Sequence, residues 1–122
     1  MTTRAAAVYG FLSSFGIPAY AATSTPDDAE FPYLTYELVM PELWGGEVSM
    51  AVSLWYYGDS EAPANAKAEE IGRRLGLGGV QLHYDGGCLW LKKGSPFWQS
   101  ISGEGDKIKR RYLNIDIEAN GE

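Results

Sequence analysis

The residues of this sequence that could take part in chemistry are few and scattered. His83 is the only histidine and Cys88 the only cysteine. A single histidine without a serine, cysteine or aspartate at motif spacing forms no catalytic triad, and alone it makes no zinc site. Cys88, which follows a glycine pair, matches no nucleophile signature. We therefore predict no catalytic residue, no cofactor and no metal site, and we expect the protein not to be an enzyme.

Aromatic side chains carry more information than the titratable ones. They make up 13% of the sequence, with four Trp and eight Tyr. A β-rich core would explain this content, and so would an association surface, since Trp and Tyr are enriched at the centres of interfaces. Trp44 stands beside Gly45 and Gly46 in a predicted turn, where a monomer would bury little of it. We hypothesise that Trp44 contacts a partner.

A second aromatic feature is the segment 86–100, GGCLWLKKGSPFWQS. It starts at a glycine pair, continues as an apolar and basic strand, breaks at Gly94-Ser95-Pro96 and resumes with Phe97 and Trp98. The pattern predicts a hairpin strand that turns a corner and presents bulky aromatic groups for packing. Trp98 is accordingly a second candidate contact residue.

The charge balance is acidic, with a formal net charge of −6 and an isoelectric point near 4.7. This argues against general nucleic-acid binding, which depends on neutralising phosphates with Lys and Arg. No apolar run of transmembrane length is present, so we predict no membrane-spanning helix.

Basic residues nevertheless cluster near the C-terminus, in what we call the basic segment: Lys107, Lys109, Arg110 and Arg111. Three interpretations stay open: a solvated strand, a surface that meets an acidic surface on another copy of the chain, or a local nucleic-acid contact. The acidic loop with Asp27 and Asp28 is the candidate partner across such an interface. That loop lacks the glycine and ligand spacing of a calcium loop, so it also fits a solvated surface loop.

The apolar periodicity predicts two helices, at about 4–15 and from Pro63 to Leu75. Alternation and turn residues predict strands at 33–40, 47–57, 80–84, 88–92 and 109–118, with a further one at about 97–102. The segments 19–32 and 102–107 are expected to be loop and turn, and 119–122 a polar tail. Gly45-Gly46 is expected to close a tight hairpin turn.

These elements form one domain, residues 1–122, of the α+β class. We predict a mostly antiparallel sheet of five to six strands with two helices, in the order α-β-β-α-β-β-(β)-β. Leu113, Ile115 and Ile117 are expected to point inward. In the strand 47–57, the face with Ser49, Ala51 and Ser53 carries small residues that would accept a helix or another subunit.

In combination, five motifs resemble small proteins from the tail modules of long-tailed bacteriophages and prophages of Gram-positive bacteria. They are FLxxFGIPAY at 11–20, TPDD at 25–28, FPY at 31–33, SLWY at 53–56 and GGxxWxKxGSPF at 86–97. The resemblance runs from about Tyr9 to Glu118, and the order and spacing of the motifs carry it more than any single one.

The resemblance implies a structural virion protein: a tail terminator, a tail-completion or head–tail joining protein, or a minor capsid protein. Such a protein caps the tail tube or joins it to the head as a subunit of an oligomeric ring, with six subunits as the expected number. The implied partners are further copies of itself, the tail tube protein and a head-completion or connector protein, with neither specific nucleic-acid nor membrane binding. The implied location is the phage neck or tail, assembled in the bacterial host cytoplasm. The family supplies no catalytic motif.

A second function class also fits the aromatic content. The protein could be a small ligand- or peptide-binding module that uses Trp55, Trp90 and Trp98. Ligand-dependent quenching of Trp fluorescence without a change in oligomer size would favour this alternative.

Overall fold

The computed structural model describes residues 2–102 and 105–121. Its two helices are α1 (Arg4–Leu12), which continues as a 3₁₀ turn at Ser13–Phe15, and α2 (Ala62–Leu75). Its six strands are β1 (Ala19–Ala21), β2 (Tyr33–Glu37), β3 (Val48–Tyr57), β4 (Val80–Tyr84), β5 (Gly87–Ile101) and β6 (Ile108–Gly121). A second 3₁₀ turn spans Ala22–Ser24. The predicted α+β class is confirmed.

The strands form one sheet in the order β1-β2-β3-β6-β5-β4. Neighbouring strands pair antiparallel except β1 and β2, which are parallel. The last strand, β6, therefore lies in the middle of the sheet and joins the first hairpin to the second.

Both helices pack on one side of the sheet, which we call the inner face. Alternate residues of β6 point to this face, and Leu113, Ile115 and Ile117 are fully buried there, as predicted. In α2 the buried residues are Ala64, Ala68, Ile71, Gly72 and Leu75, the stripe expected from a period of 3.6. Short alanine side chains let α2 lie close to the sheet. The opposite, outer face carries no helix among the described residues.

The predicted hairpin at Asp85-Gly86 is confirmed, since Tyr84 pairs with Gly87 across a two-residue turn. Beyond it, β5 is one strand rather than two. Its pairing with β6 shifts register between Lys93 and Trp98, so the predicted corner at Gly94-Ser95-Pro96 is an irregularity within a continuous strand.

Three local predictions are wrong. The segment 19–32 is not all loop, since Ala19–Ala21 pairs with β2. The tail 119–121 is not free, because Ala119 is buried and Gly121 pairs with Gly87. Gly45-Gly46 does not close a tight turn, since residues 38–47 form a long connection between β2 and β3.

A fourth correction concerns β3. The predicted helix-accepting face with Ser49, Ala51 and Ser53 is the outer one, and the helices cover the face of Met50, Val52 and Leu54 instead. The larger apolar side chains gain more by leaving water, which decides the side on which the helices pack. The predicted turn at 102–107 includes Gly103 and Glu104, which lie outside the described residues. Neither helix in the described ranges is long and apolar enough to cross a membrane.

Candidate interaction surfaces

Trp44 lies in the long connection between β2 and β3, and its side chain is 67% exposed. Its backbone has a φ of 59°, the left-handed region that favours glycine. Three hydrogen bonds fix the loop: Trp44 N donates to Ala119 O at 2.8 Å, Gly45 N to Glu42 O at 2.8 Å, and Arg4 Nη1 to Pro41 O at 2.9 Å. The structure thus holds a large aromatic side chain in water on a strained but well-anchored backbone.

Three further apolar side chains accompany Trp44 in this loop. Leu38, Val39 and Leu43 are 42%, 37% and 48% exposed. Leu43 also forms an isolated parallel bridge with Ala119, which seats the loop on the end of β6. We call Leu38, Val39, Leu43 and Trp44 the loop patch.

The side chains of the basic segment alternate between the two faces of the sheet. Arg111 points to the inner face, where it is 3% exposed. Its guanidinium donates to Glu61 Oε1 at 2.5 Å, to Asn65 Oδ1 at 2.8 Å and to Ser100 Oγ at 3.2 Å. Arg111 therefore ties the start of α2 to the sheet, and in the folded monomer it offers no surface to a partner.

Of the other members of the basic segment, Lys107 is exposed, and Lys109 and Arg110 are partly buried. Lys107 forms an ion pair with Asp59, and Lys109 one with Glu61 at 3.4 Å. Arg110 points to the outer face, where it donates to Ser53 Oγ at 3.0 Å and lies 4.6 Å from the centre of the Trp55 ring. These contacts are intramolecular, and the exposed ion pair of Lys107 with Asp59 contributes little to stability.

Asp27 and Asp28 lie in the exposed loop before β2. Among the described residues neither takes part in an ion pair. Between residues 2–102 and 105–121 no group of His, Cys, Asp and Glu side chains is arranged to hold a metal ion.

The tryptophans of the alternative hypothesis are not brought together. Trp98 pairs with Leu113 and packs against the core beneath α2, with Arg111 5.9 Å from its ring centre. Trp55 and Trp90 point to the outer face, opposite residues 110 and 118 of β6. Eight residues of extended strand separate these two positions by roughly 27 Å. One ligand site cannot use all three indoles.

The outer face carries an aromatic cluster that the sequence analysis did not predict. The rings of Tyr33 and Trp55 stack with centroids 6.2 Å apart, and the Trp55 indole donates to Thr35 Oγ1 at 2.9 Å. Phe31 lies 5.4 Å from Tyr33 and 5.7 Å from Tyr57. The β2–β3 register could have indicated this pairing, since Tyr33 lies directly opposite Trp55.

Charged side chains cluster at the other end of the outer face. Lys92 forms ion pairs with Glu47 at 2.6 Å and Glu118 at 2.9 Å. Partial burial and the neighbouring Glu47 raise the pKa of the Asp116 carboxyl above its ordinary value. The hydrogen bond from Lys92 lowers the pKa of Glu47. The carboxylates of Glu47, Asp116 and Glu118 thus lie near the one cation of Lys92. Of the three, Asp116 is the one whose charged form is disfavoured.

We expect Asp116→Asn to raise the free energy of unfolding at neutral pH by about 0.2–1 kcal/mol, because it removes a like-charge contact. A raised folded-state pKa means that the folded protein binds the proton more tightly, so the contribution of Asp116 falls as pH rises through that pKa. The gain should therefore vanish in acid, where Asp116 is already protonated. Urea unfolding at several pH values measures it.

Glu47→Gln is the matched control for Asp116→Asn and should act in the opposite direction. The lowered pKa of Glu47 means that its contribution is present above its unfolded pKa and is lost as pH falls through the folded one. Loss of stability at neutral pH in both variants would contradict this account of the cluster.

Comparison with known proteins supports the fold. No family model matches the chain, and no curated protein matches it. A solved structure is similar to it with a TM-score of 0.61 and 11% sequence identity, over 92% of this chain and 86% of that one. The likeness is one of fold. The protein in that structure carries only a sequence identifier as its name, so it offers no activity to compare.

Proposed function

We propose that this protein is a structural subunit of a phage or prophage neck or tail, where it ends the tail tube or joins it to the head. In this role it assembles as an oligomeric ring, and its neighbours are the tail tube protein and a head-completion or connector protein. The proposal rests on the resemblance of the motifs from Tyr9 to Glu118 and on surfaces of the folded chain that fit association.

Trp44 is the observation that carries the proposal. A backbone strained at φ 59° is retained only where the surrounding structure fixes it, and such strain is concentrated at functional positions. Tryptophan is enriched among the residues that dominate binding energy. A monomer gains little from an indole that is two-thirds exposed, whereas an assembly gains by burying it.

The decisive experiment deletes the gene in its parent phage and examines the lysate by electron microscopy. Overlong, irregular tails beside unjoined heads would assign the terminator role. Tails of normal length beside filled, unjoined heads would assign the joining role. Infectious particles of normal appearance would refute the proposal and favour the ligand- or peptide-binding module, for which the Tyr33–Trp55 cluster is the remaining site.

Complementation of that deletion with Trp44→Gly separates assembly from folding. We expect a change of no more than about 1 kcal/mol in unfolding free energy, because glycine relieves the positive-φ strain while making the unfolded chain more flexible. We expect particle yield to fall at least about tenfold, because tryptophan is among the residues that dominate binding energy at interfaces. Chemical unfolding and plaque counts measure the two effects.

Tyr9→Ala is the control for Trp44→Gly. Tyr9 is an aromatic residue of α1 that is 50% exposed and lies outside the loop patch. Normal particle yield with Trp44→Gly, or an equal loss with Tyr9→Ala, would remove Trp44 as the residue that carries the proposal.

A further inference from the structure

The loop patch is acidic as well as apolar. Glu37 and Glu42 are exposed at its margin, and neither forms an ion pair within the described part of the chain. A surface with bulky apolar groups and unpaired carboxylates fits a partner surface that is apolar at its centre and basic at its margin.

A surface of that kind lies elsewhere on the same molecule, at the end of α2. Leu77 is fully exposed there, and Phe97 packs beside it against Gly72. The two apolar residues help to line an open cleft of about 300 Å³ with Arg73 and Lys93 on its walls. We call Arg73, Leu77, Lys93 and Phe97 the helix patch.

The cations of the helix patch have no carboxylate partner within the described residues. In the described residues Arg73 and Lys93 form no ion pair, and Arg73 does not pair with Glu69 one turn earlier, as the i,i+4 spacing would have allowed. Glu69 also lines the cleft, so the patch has two cations and one carboxylate. Its excess charge is opposite in sign to that of the loop patch.

We propose that the loop patch of one copy docks on the helix patch of the next, with Trp44 or Leu43 seated in the cleft beside Leu77 and Phe97. The charges select this head-to-tail arrangement. A contact between two loop patches would bring carboxylates together, and one between two helix patches would bring cations together. Only the mixed contact joins opposite charges, and its two halves lie on different parts of the chain.

A contact between two different surfaces is heterologous, so it repeats from copy to copy until the rotation closes a ring. This inference therefore names the subunit contact of the proposed ring and rests on that proposed function. Each contact can be weak on its own, since closure of the ring makes the last contact intramolecular.

Charge reversal tests the pairing with the full-length chain. Glu42→Arg and Arg73→Glu should each reduce self-association at least about tenfold at high protein concentration, because each brings like charges together across the contact. An equimolar mixture of the two variants should recover association, since every contact between unlike copies then joins opposite charges. The double variant should also recover it. Sedimentation velocity measures all four samples, and circular dichroism confirms that each is folded.

Cysteine trapping gives an answer even when association is weak. In a Cys88→Ser background, Leu43→Cys and Leu77→Cys should form a disulfide-linked dimer when mixed, about tenfold more than either variant forms alone at the same concentration. Equal yields from the mixed and single samples, or single reversals that assemble normally, would overturn the pairing.

The pairing and the proposed function can fail separately. Tail defects on gene deletion together with unaffected reversal variants would refute the loop-to-helix contact and retain the neck or tail role. Normal particles on deletion together with a rescued charge swap would refute the role and retain the contact.

Discussion

Arg111→Glu is expected to lower the free energy of unfolding by at least about 3 kcal/mol, since it places an unpaired carboxylate at a buried position. Arg111 is 3% exposed beneath α2, where it donates to Glu61, Asn65 and Ser100. A glutamate there would face the carboxylate of Glu61 and would leave the amide oxygen of Asn65 without a donor. Urea unfolding followed by circular dichroism measures the loss.

Three variants make this expectation specific. Arg110→Glu, one position away on the outer face, should cost only about 1 kcal/mol, mainly the contact of its guanidinium with Trp55. Arg111→Met keeps much of the side-chain volume and leaves a Glu61 that water can solvate, so its cost should lie between the two. Glu61→Gln should cost least. Equal losses from Arg110→Glu and Arg111→Glu would show that Arg111 is not the anchor described.

The pH dependence offers an independent check on this anchor. The hydrogen bond from Arg111 is the largest cause of a lowered pKa at Glu61. A lowered folded-state pKa gives stability that is present above the unfolded pKa of Glu61 and is lost as pH falls through the folded one. In Glu61→Gln this part of the acid sensitivity should disappear.

The buried position of Arg111 limits which residues of the basic segment can be mutated to test that segment as an interface. Reversing Arg110 and Arg111 together would abolish assembly by unfolding the chain, whatever the interface is. Lys107 and Arg110 lie outside the core and can be changed without that effect, whereas Lys109 is largely buried and shares Glu61 with Arg111. A pairing of Asp27 and Asp28 with the basic segment of a neighbour remains a prediction, and the surface residues alone can test it.

The elements that the sequence predicted are those specified by local chemistry. Asp85-Gly86 fixes the β4–β5 turn, and alanine spacing fixes the buried stripe of α2. The sequence analysis missed β1 because a strand of three residues is too short to show periodicity. Its parallel pairing with β2 also involves residues more than ten positions away in the sequence, which no local pattern indicates. Residues 119–121 were missed because backbone hydrogen bonds, which need no apolar side chain, hold them to β5.

Some features of the candidate surfaces could likewise be predicted from the local sequence, and others could not. Exposure of Trp44 beside two glycines could be predicted from its neighbours in sequence. The orientation of Arg111 could have been found too, since extending the inward alternation of Leu113 and Ile115 by two residues places Arg111 beneath α2. The Tyr33–Trp55 stack and the loop patch on the end of β6 depend on strand order, which no local pattern specifies.

Strand order also explains why the exposed apolar side chains collect in loops and edges. With β6 in the centre, β3 and β5 are paired on both sides, and both helices cover the inner face. Apart from Tyr9 of α1, the bulky groups left outside are therefore those of the β2–β3 connection, the end of α2 and the outer face. Hydrogen bonds to Ala119 and Arg4 hold the β2–β3 connection, which would reduce the entropy that binding at this loop must overcome.

Gly79→Ala is expected to lower the free energy of unfolding by about 2–4 kcal/mol, from positive-φ strain and overpacking together. Gly79 has a φ of 78°, and a Cβ there would overlap Leu91 O and lie 2.7 Å from Trp90 Nε1. That indole donates to Gly78 O at 2.7 Å, so the added carbon would disturb the hydrogen bond that holds the loop after α2 against β5.

Gly78→Ala is the neighbouring control, since a Cβ there meets nothing within 4 Å. It should leave stability unchanged or raise it by about 0.4–1 kcal/mol, because alanine restricts the unfolded chain. Thermal unfolding of the two variants side by side measures the difference, and equal behaviour would show that this loop does not need glycine at position 79. Because Leu77 of the helix patch lies in the same loop, Gly79→Ala should also weaken self-association, whereas Gly78→Ala should retain it.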